Sequence, residues 1–198
     1  MTPDADEIIG LYRRHAKAWV RARGEALDDG GWLERFRALL PAEATVLDIG
    51  CGSGVPIAAY LSRSGCTVMG VDSSPEMIAI ARARWPDWRV GDMRSLALER
   101  RFDGLIAWDS FFHLTHDDQR AMFAIFAAHA NAGAALMFTS RPAHGEAIGT
   151  LEGEPLYHAS LDGGEYRALL AAQGFAVVAH QPEDPDCGGR TVWLAQRQ

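Results

Sequence analysis

Short runs of apolar residues, each bounded by glycine or polar residues, divide the chain into segments that predict β-strands. Between them lie apolar stripes at three- and four-residue spacing, which are typical of helices with one buried face. This alternation favours an α/β fold. The predicted strands are Thr45–Ile49, Thr67–Val71, Trp88–Met93 with its turn, Phe102–Asp109, Ala134–Thr139, Phe175–His180 and Thr191–Ala195.

Two helices are predicted ahead of the first strand. Asp4–Arg23 carries a stripe of Ile8, Leu11, Tyr12, His15 and Trp19, and Asp29–Leu40 carries a second stripe and ends before Pro41. We expect residues 1–43 to form a helical cap over the ligand-binding side of the sheet, and residues 44–198 to form the α/β core of a single domain.

Three later helices begin at residue pairs with capping-box or T-x-x-D spacing. These pairs are Ser73 with Glu76, Thr115 with Asp118, and Asp162 with Glu165. The second of these helices is expected to stop at Asn131 and Gly133. By contrast, Ser140–Ser160 has several glycines and prolines and no apolar period, so it predicts a long loop.

The first predicted strand runs directly into the segment Asp48-Ile49-Gly50-Cys51-Gly52-Ser53-Gly54, which precedes a helix. Glycines allow a ligand to approach the backbone, and a helix N-terminus presents free N–H groups there. The spacing D-x-G-x-G-x-G differs from the G-x-G-x-x-G of dinucleotide-binding folds. It resembles motif I of the class I S-adenosylmethionine (SAM) dependent methyltransferases.

Further motifs follow in the order that this family predicts, over roughly residues 45 to 140. The resemblance implies a seven-stranded, mostly parallel sheet with an antiparallel last strand, and SAM as cofactor. It implies that Asp72, at the tip of the second strand, binds the ribose hydroxyls, and that Asp92 and Met93 bind adenine. By the same resemblance, the acidic residue of motif I lies beside the methionine part of SAM. The cofactor-binding residues expected on this basis are Tyr12, Asp48, Gly50, Cys51, Gly52, Asp72, Ser73, Asp92, Met93, Trp108 and Asp109.

Composition narrows the substrate class. A net charge of −7 and a pI near 5.4 disfavour a nucleic-acid substrate, because phosphate binding needs a basic surface. The three cysteines have neither disulfide nor metal-site spacing, and no apolar run reaches the roughly 20 residues of a membrane span. We therefore expect a soluble cytoplasmic protein without a metal, of unknown oligomeric state.

The motifs of several macromolecular methyltransferases are missing. The sequence has no Pro-Cys nucleophile of the cytosine-C5 enzymes, and Trp108-Asp109-Ser110-Phe111-Phe112 stands where the amino-methylating DNA enzymes have an Asn-Pro-Pro-Tyr type loop. The double-glutamate loop of the arginine methyltransferases is also missing. These differences favour transfer of a methyl group to O, N or another nucleophilic atom of a small metabolite.

A catalytic base is the least defined element. His113 follows the fourth strand, and a histidine side chain ordinarily titrates near neutrality, so it is the candidate base, although a loop histidine bonded to backbone is an equal alternative. Tyr12 and Trp19 could each contact the site or pack in the core. On the substrate side, Arg141, His144, Glu146 and His158 could line the site or lie in solvent. A SAM-binding protein without catalysis, or a subunit that needs a partner, stays open as an alternative. So does a nicotinamide-dependent oxidoreductase, which the glycine spacing disfavours.

Overall fold

The computed structural model describes residues 7–27 and 29–198, which form a seven-stranded sheet and a separate two-stranded hairpin. The strand order is β3-β2-β1-β4-β5-β9-β8, in which β9 runs antiparallel to the other six strands. This confirms the predicted sheet. The strands are β1 Thr45–Ile49, β2 Thr67–Asp72, β3 Arg89–Val90, β4 Phe102–Ala107, β5 Ala130–Ser140, β6 Gly145–Leu151, β7 Glu154–Ser160, β8 Phe175–Asp184 and β9 Arg190–Arg197.

Helices cover both faces of the sheet because successive strand residues point to opposite sides. Leu47 and Leu105 pack with aromatic side chains of α5 and α6, whereas Val46 and Ile106 pack with α2, α3 and α4. The helices are α1 Glu7–Arg23, α2 Gly30–Ala38, α3 Ile57–Arg63, α4 Pro75–Ala81, α5 His116–His129 and α6 Gly163–Ala172. No helix of the described ranges has the length and apolar character needed to cross a bilayer.

The segment Ser140–Ser160 is not the predicted loop, because most of it forms the antiparallel hairpin β6–β7. Its two-residue turn has φ of 51° at Glu152 and 82° at Gly153, as a type I′ turn requires. Pro155 faces Thr150 one step beyond the hydrogen-bonded pair at the turn, where its missing N–H costs nothing. Glu-Gly is a weaker turn signal than Asn-Gly, and the two strands, which are mostly half-buried or exposed, lack a regular apolar period.

The two N-terminal helices do not form one cap. The buried side chains of α2, Trp32, Leu33 and Phe36, pack into the core on one face of the sheet. Helix α1 instead packs on the hairpin through a small apolar cluster that includes Leu11 and Tyr157. The predicted start of this helix, residues 4–6, lies outside the described residues.

Local capping differs from the prediction at one helix. Ser74, rather than Ser73, is the N-cap of α4, and its Oγ accepts a hydrogen bond of 3.2 Å from the backbone N–H of Met77. Thr115 and Asp162 cap α5 and α6 as predicted. Helix α5 ends at His129, and β5 begins at the next residue, ahead of the predicted stop at Asn131 and Gly133.

Candidate active site

A cleft of about 1060 Å³, open mouth included, lies at the carboxyl ends of β1, β2 and β4 and is bordered by α1. This is the edge of a parallel sheet at which α/β proteins bind ligands. The residues predicted from the sequence come together in its lining, namely Tyr12, Trp19, Asp48, Gly50, Cys51, Gly52, Asp72, Ser73, Asp92, Met93, Trp108, Asp109 and His113.

The glycine loop forms one wall of the cleft. At Gly50, φ is 75°, and a Cβ atom would lie 2.4 Å from the Cβ of Ser110, so no larger residue fits. At Gly52, φ is 52°, and a Cβ would meet nothing within 4 Å. The backbone at Gly52 therefore faces open space, in which a ligand can come close to it.

Asp72 holds this loop to the end of β2. One carboxylate oxygen accepts a 2.8 Å hydrogen bond from the N–H of Gly52, and the other accepts a 2.8 Å bond from the N–H of Ser74. Burial raises the pKa of Asp72, and the two backbone hydrogen bonds oppose this rise. Each oxygen keeps a further lone pair for a ligand hydroxyl.

Asp48 is 3% exposed, and its carboxyl group has no hydrogen-bonding partner among the described residues. Burial, followed by the charge of Asp72, raises its pKa to about 7. A buried carboxylate that lines a cleft without a partner is suited to a cationic ligand, because a positive charge would offset the cost of burial.

Asp92 lies across the cleft and is bound by Arg94, whose guanidinium nitrogens contact both carboxylate oxygens at 2.7 to 3.1 Å. Burial alone would raise the pKa of Asp92, but the hydrogen bonds from Arg94 lower it below its ordinary value. Asp92 is therefore ionised and can accept a further hydrogen bond. The neighbouring Met93 gives this wall an apolar surface.

A second group of side chains lies where α1 meets the end of β4. The hydroxyl of Tyr12 is 3.0 Å from Nε2 of His113, and Nδ1 of His113 is 2.8 Å from the carbonyl oxygen of Tyr157. Because a carbonyl only accepts, Nδ1 carries the proton, and the Tyr12 hydroxyl donates to Nε2. Burial lowers the pKa of His113 to about 3, so the imidazole is neutral at physiological pH.

Asp109 follows β4 with φ of 49° and projects a carboxylate into the cleft lining. Nitrogens of Arg190 donate to this carboxylate at 2.8 to 3.0 Å. The backbone N–H of Asp109 donates to Thr139 Oγ1 at 2.9 Å. Beside it, the buried indole N–H of Trp108 has no partner in the described chain. The sequence offered no signal for Arg190, which follows a turn between two strands.

The other candidates lie around the hairpin and do not belong to the cleft lining. The ring of His158 stacks on that of His113 with centroids 4.9 Å apart, which puts it directly behind the cleft. His144 stacks on His116, and Glu146 accepts a 2.8 Å hydrogen bond from the Tyr157 hydroxyl. Arg141 contacts the serines that bound the hairpin through its carbonyl oxygen.

Comparisons with known proteins agree on one family. Residues 46–133 match the family described as methyltransferase domain. The dTDP-3-amino-3,6-dideoxy-alpha-D-glucopyranose N,N-dimethyltransferase of Streptomyces fradiae is 40% identical over 135 residues, which cover 64% of this chain and 51% of the relative. A dTDP-3-amino-3,4,6-trideoxy-alpha-D-glucopyranose N,N-dimethyltransferase of Streptomyces venezuelae is 30% identical over 117 residues, which cover 57% and 49%.

A similar fold occurs in a solved structure, the SAM-bound amino pentose methyltransferase of Micromonospora echinaspora that is involved in calicheamicin biosynthesis. Its TM-score is 0.70 and its identity 24%, with 92% of this chain and 96% of that chain covered. The alignments with the two Streptomyces relatives span about half the length of each relative.

Proposed function

Because the chain belongs to the class I SAM-dependent methyltransferases, we propose that it transfers a methyl group from SAM to a small-molecule acceptor. The observation that carries this proposal is the convergence of the glycine loop, four carboxylates and the Tyr12–His113 pair on a single cleft. When bound, SAM supplies a methyl group on a positively charged sulfur. The residues of this chain would hold that group and align the acceptor with it.

The cleft fits SAM at each of its parts. The open space at Gly52 admits a ligand close to the backbone, and the free lone pairs of Asp72 suit a ribose diol. Asp92 would accept from the adenine amine, with Met93 against the ring. The unpartnered carboxyl of Asp48 suits the cationic amino-acid end of the cofactor, directly or through water.

We propose that the atom that accepts the methyl group is an amine nitrogen. A hydroxyl acceptor needs a base, but His113 is neutral with a pKa of about 3, and its Nε2 already accepts from Tyr12. A neutral amine attacks with its own lone pair and needs positioning more than proton removal. His113 then acts by holding the Tyr12 hydroxyl at the cleft wall, which replaces the predicted role of base.

The names of the relatives indicate a substrate class in which the proposed amine acceptor can be tested. Two of them are named as N,N-dimethyltransferases of dTDP-linked amino sugars, and a structural neighbour is an amino pentose methyltransferase. A nucleotide-linked amino sugar is therefore our first candidate acceptor. With a net charge of −7, we continue to expect no nucleic-acid substrate. Three free cysteines favour a reducing compartment, so we propose a cytoplasmic location.

The test compares two acceptors that differ only in the reacting atom. The protein is incubated with SAM and a dTDP-3-amino-3,6-dideoxyglucose, or with the 3-hydroxy sugar as the matched control, and S-adenosylhomocysteine is measured. We expect the amino sugar to turn over and the hydroxy sugar to be inert. Faster reaction of the hydroxy sugar would refute the amine proposal. Tight SAM binding without turnover on any acceptor would favour the non-catalytic alternative, and binding of NAD in preference to SAM would favour the oxidoreductase.

A further inference from the structure

Four charged side chains of alternating sign form a series of ion pairs that begins at the end of α1 and ends in the cleft wall. Arg23, in the last turn of α1, pairs with the carboxylate of Asp29, which lies just before α2. Asp29 is also 3.4 Å from Nη1 of Arg190, and Arg190 binds Asp109. The first and last members of this series of ion pairs, Arg23 and Asp109, line the cleft.

The two inner members of this series of ion pairs, Asp29 and Arg190, are largely removed from solvent. Asp29 is fully buried, and the side chain of Arg190 is 23% exposed. Burial alone would lower the pKa of Arg190, but the hydrogen bonds and charge of Asp109, together with the charge of Asp29, raise it above its ordinary value. A buried charge without its partner is costly, so each member constrains the position of the next.

Arg190 has the contacts needed to fix a carboxylate in one orientation. Its Nε lies 3.0 Å from each oxygen of Asp109, its Nη2 lies 2.8 Å from Oδ2, and its Nη1 donates to the carbonyl of Cys187 at 3.1 Å. The planar guanidinium therefore uses nitrogens on one side for Asp109 and holds its other side on the turn before β9.

We infer that Arg190 is a positioning residue of this site, which fixes the Asp109 carboxylate in the cleft wall and ties the end of α1 to it through Asp29 and Arg23. Asp109 has a positive φ of 49°, which is a less common backbone conformation although aspartate tolerates it better than most residues, so its side-chain contacts help to hold it. The inference rests on the proposed function only in that the cleft binds SAM. The position of the Asp109 carboxylate and the position of the end of α1 are then coupled through these ion pairs.

The test uses two variants. Arg190→Gln removes both the positive charge and the planar set of N–H donors, and Arg190→Lys keeps the positive charge only. Arg120→Gln is the matched control, since Arg120 also binds two carboxylates, Asp117 and Glu165, but outside the cleft lining. S-adenosylhomocysteine affinity is measured by calorimetry, and hydrogen exchange is followed in α1. These readouts do not require an acceptor, so an error in the proposed acceptor would leave them unaffected.

We expect Arg190→Gln to weaken binding of S-adenosylhomocysteine about tenfold or more and to speed exchange at the end of α1. Arg190→Lys should give an intermediate loss, because an ammonium cannot reproduce the planar fork, and it serves as the deciding variant if Arg190→Gln does not fold. The control should bind as the wild type does. Wild-type affinity and exchange in the folded Arg190 variants, with only a lower melting temperature, would overturn the inference.

Discussion

The ribose role of Asp72 can be tested by pairing a substitution with a modified ligand. The structure leaves each Asp72 oxygen with one backbone hydrogen bond and a free lone pair, so the carboxylate can accept from the two ribose hydroxyls as well. A hydrogen bond to a charged group contributes about 1.5–3 kcal/mol. Removing the 2′-hydroxyl of S-adenosylhomocysteine should therefore weaken binding to the wild type by about 10- to 150-fold.

Asp72→Ala removes the acceptor, and the 2′-deoxy ligand should then bind about as well as the normal one. The absolute affinity also falls because the N–H of Gly52 loses its anchor, so the ratio of the two dissociation constants from calorimetry is the informative quantity. Asp103→Ala is the control, since Asp103 likewise accepts a backbone N–H, from Thr45 at 2.9 Å, but lies at the start of β4. An unchanged ratio in Asp72→Ala would show that Asp72 only anchors the glycine loop.

Three further predictions concern the same cleft. Gly52→Val should weaken SAM binding by about tenfold or more in calorimetry. The valine side chain would enter the space left for the ligand, and its backbone would have to keep a φ of 52°. Unchanged affinity in a folded variant would exclude the loop from the site. The folded pKa of Asp48, about 7, lies above its ordinary value of 3.8, so between these values the folded state holds a proton that the unfolded chain releases. Unfolding free energy of the ligand-free protein should therefore decrease as pH rises through that window, and Asp48→Asn should reduce this slope; an equal slope in both proteins would contradict the assignment. Tyr12→Phe leaves Nε2 of His113 without its donor and should lower kcat about tenfold or more while S-adenosylhomocysteine affinity changes little, and an unchanged kcat would return Tyr12 to a packing role.

The sequence by itself determined the sheet and most of the cleft. Buried strands are short apolar runs, and parallel strands place their carboxyl ends on one edge, so Asp48, Asp72 and Asp92 had to lie near one another once their strands were recognised. The glycine spacing likewise encodes a local backbone path, and the positive φ angles of Gly50 and Gly52 follow from it. These features depend on residues close together in the chain, which is why the pattern reveals them.

What only the tertiary structure decided depends on contacts between distant segments. The hairpin within 140–160 exists because its two strands pair with each other and one of them packs against α1, and such pairing leaves little apolar period. The neutral state of His113 depends on burial between Tyr12 and the Tyr157 carbonyl, 101 and 44 residues away along the chain. Arg190 reaches Asp109 across 81 residues, and no local pattern specifies which carboxylate a single arginine will meet. The strands of the main sheet and the glycine loop are thus specified locally in this chain. The hairpin, the protonation state of His113 and the positions of side chains in the cleft follow from packing.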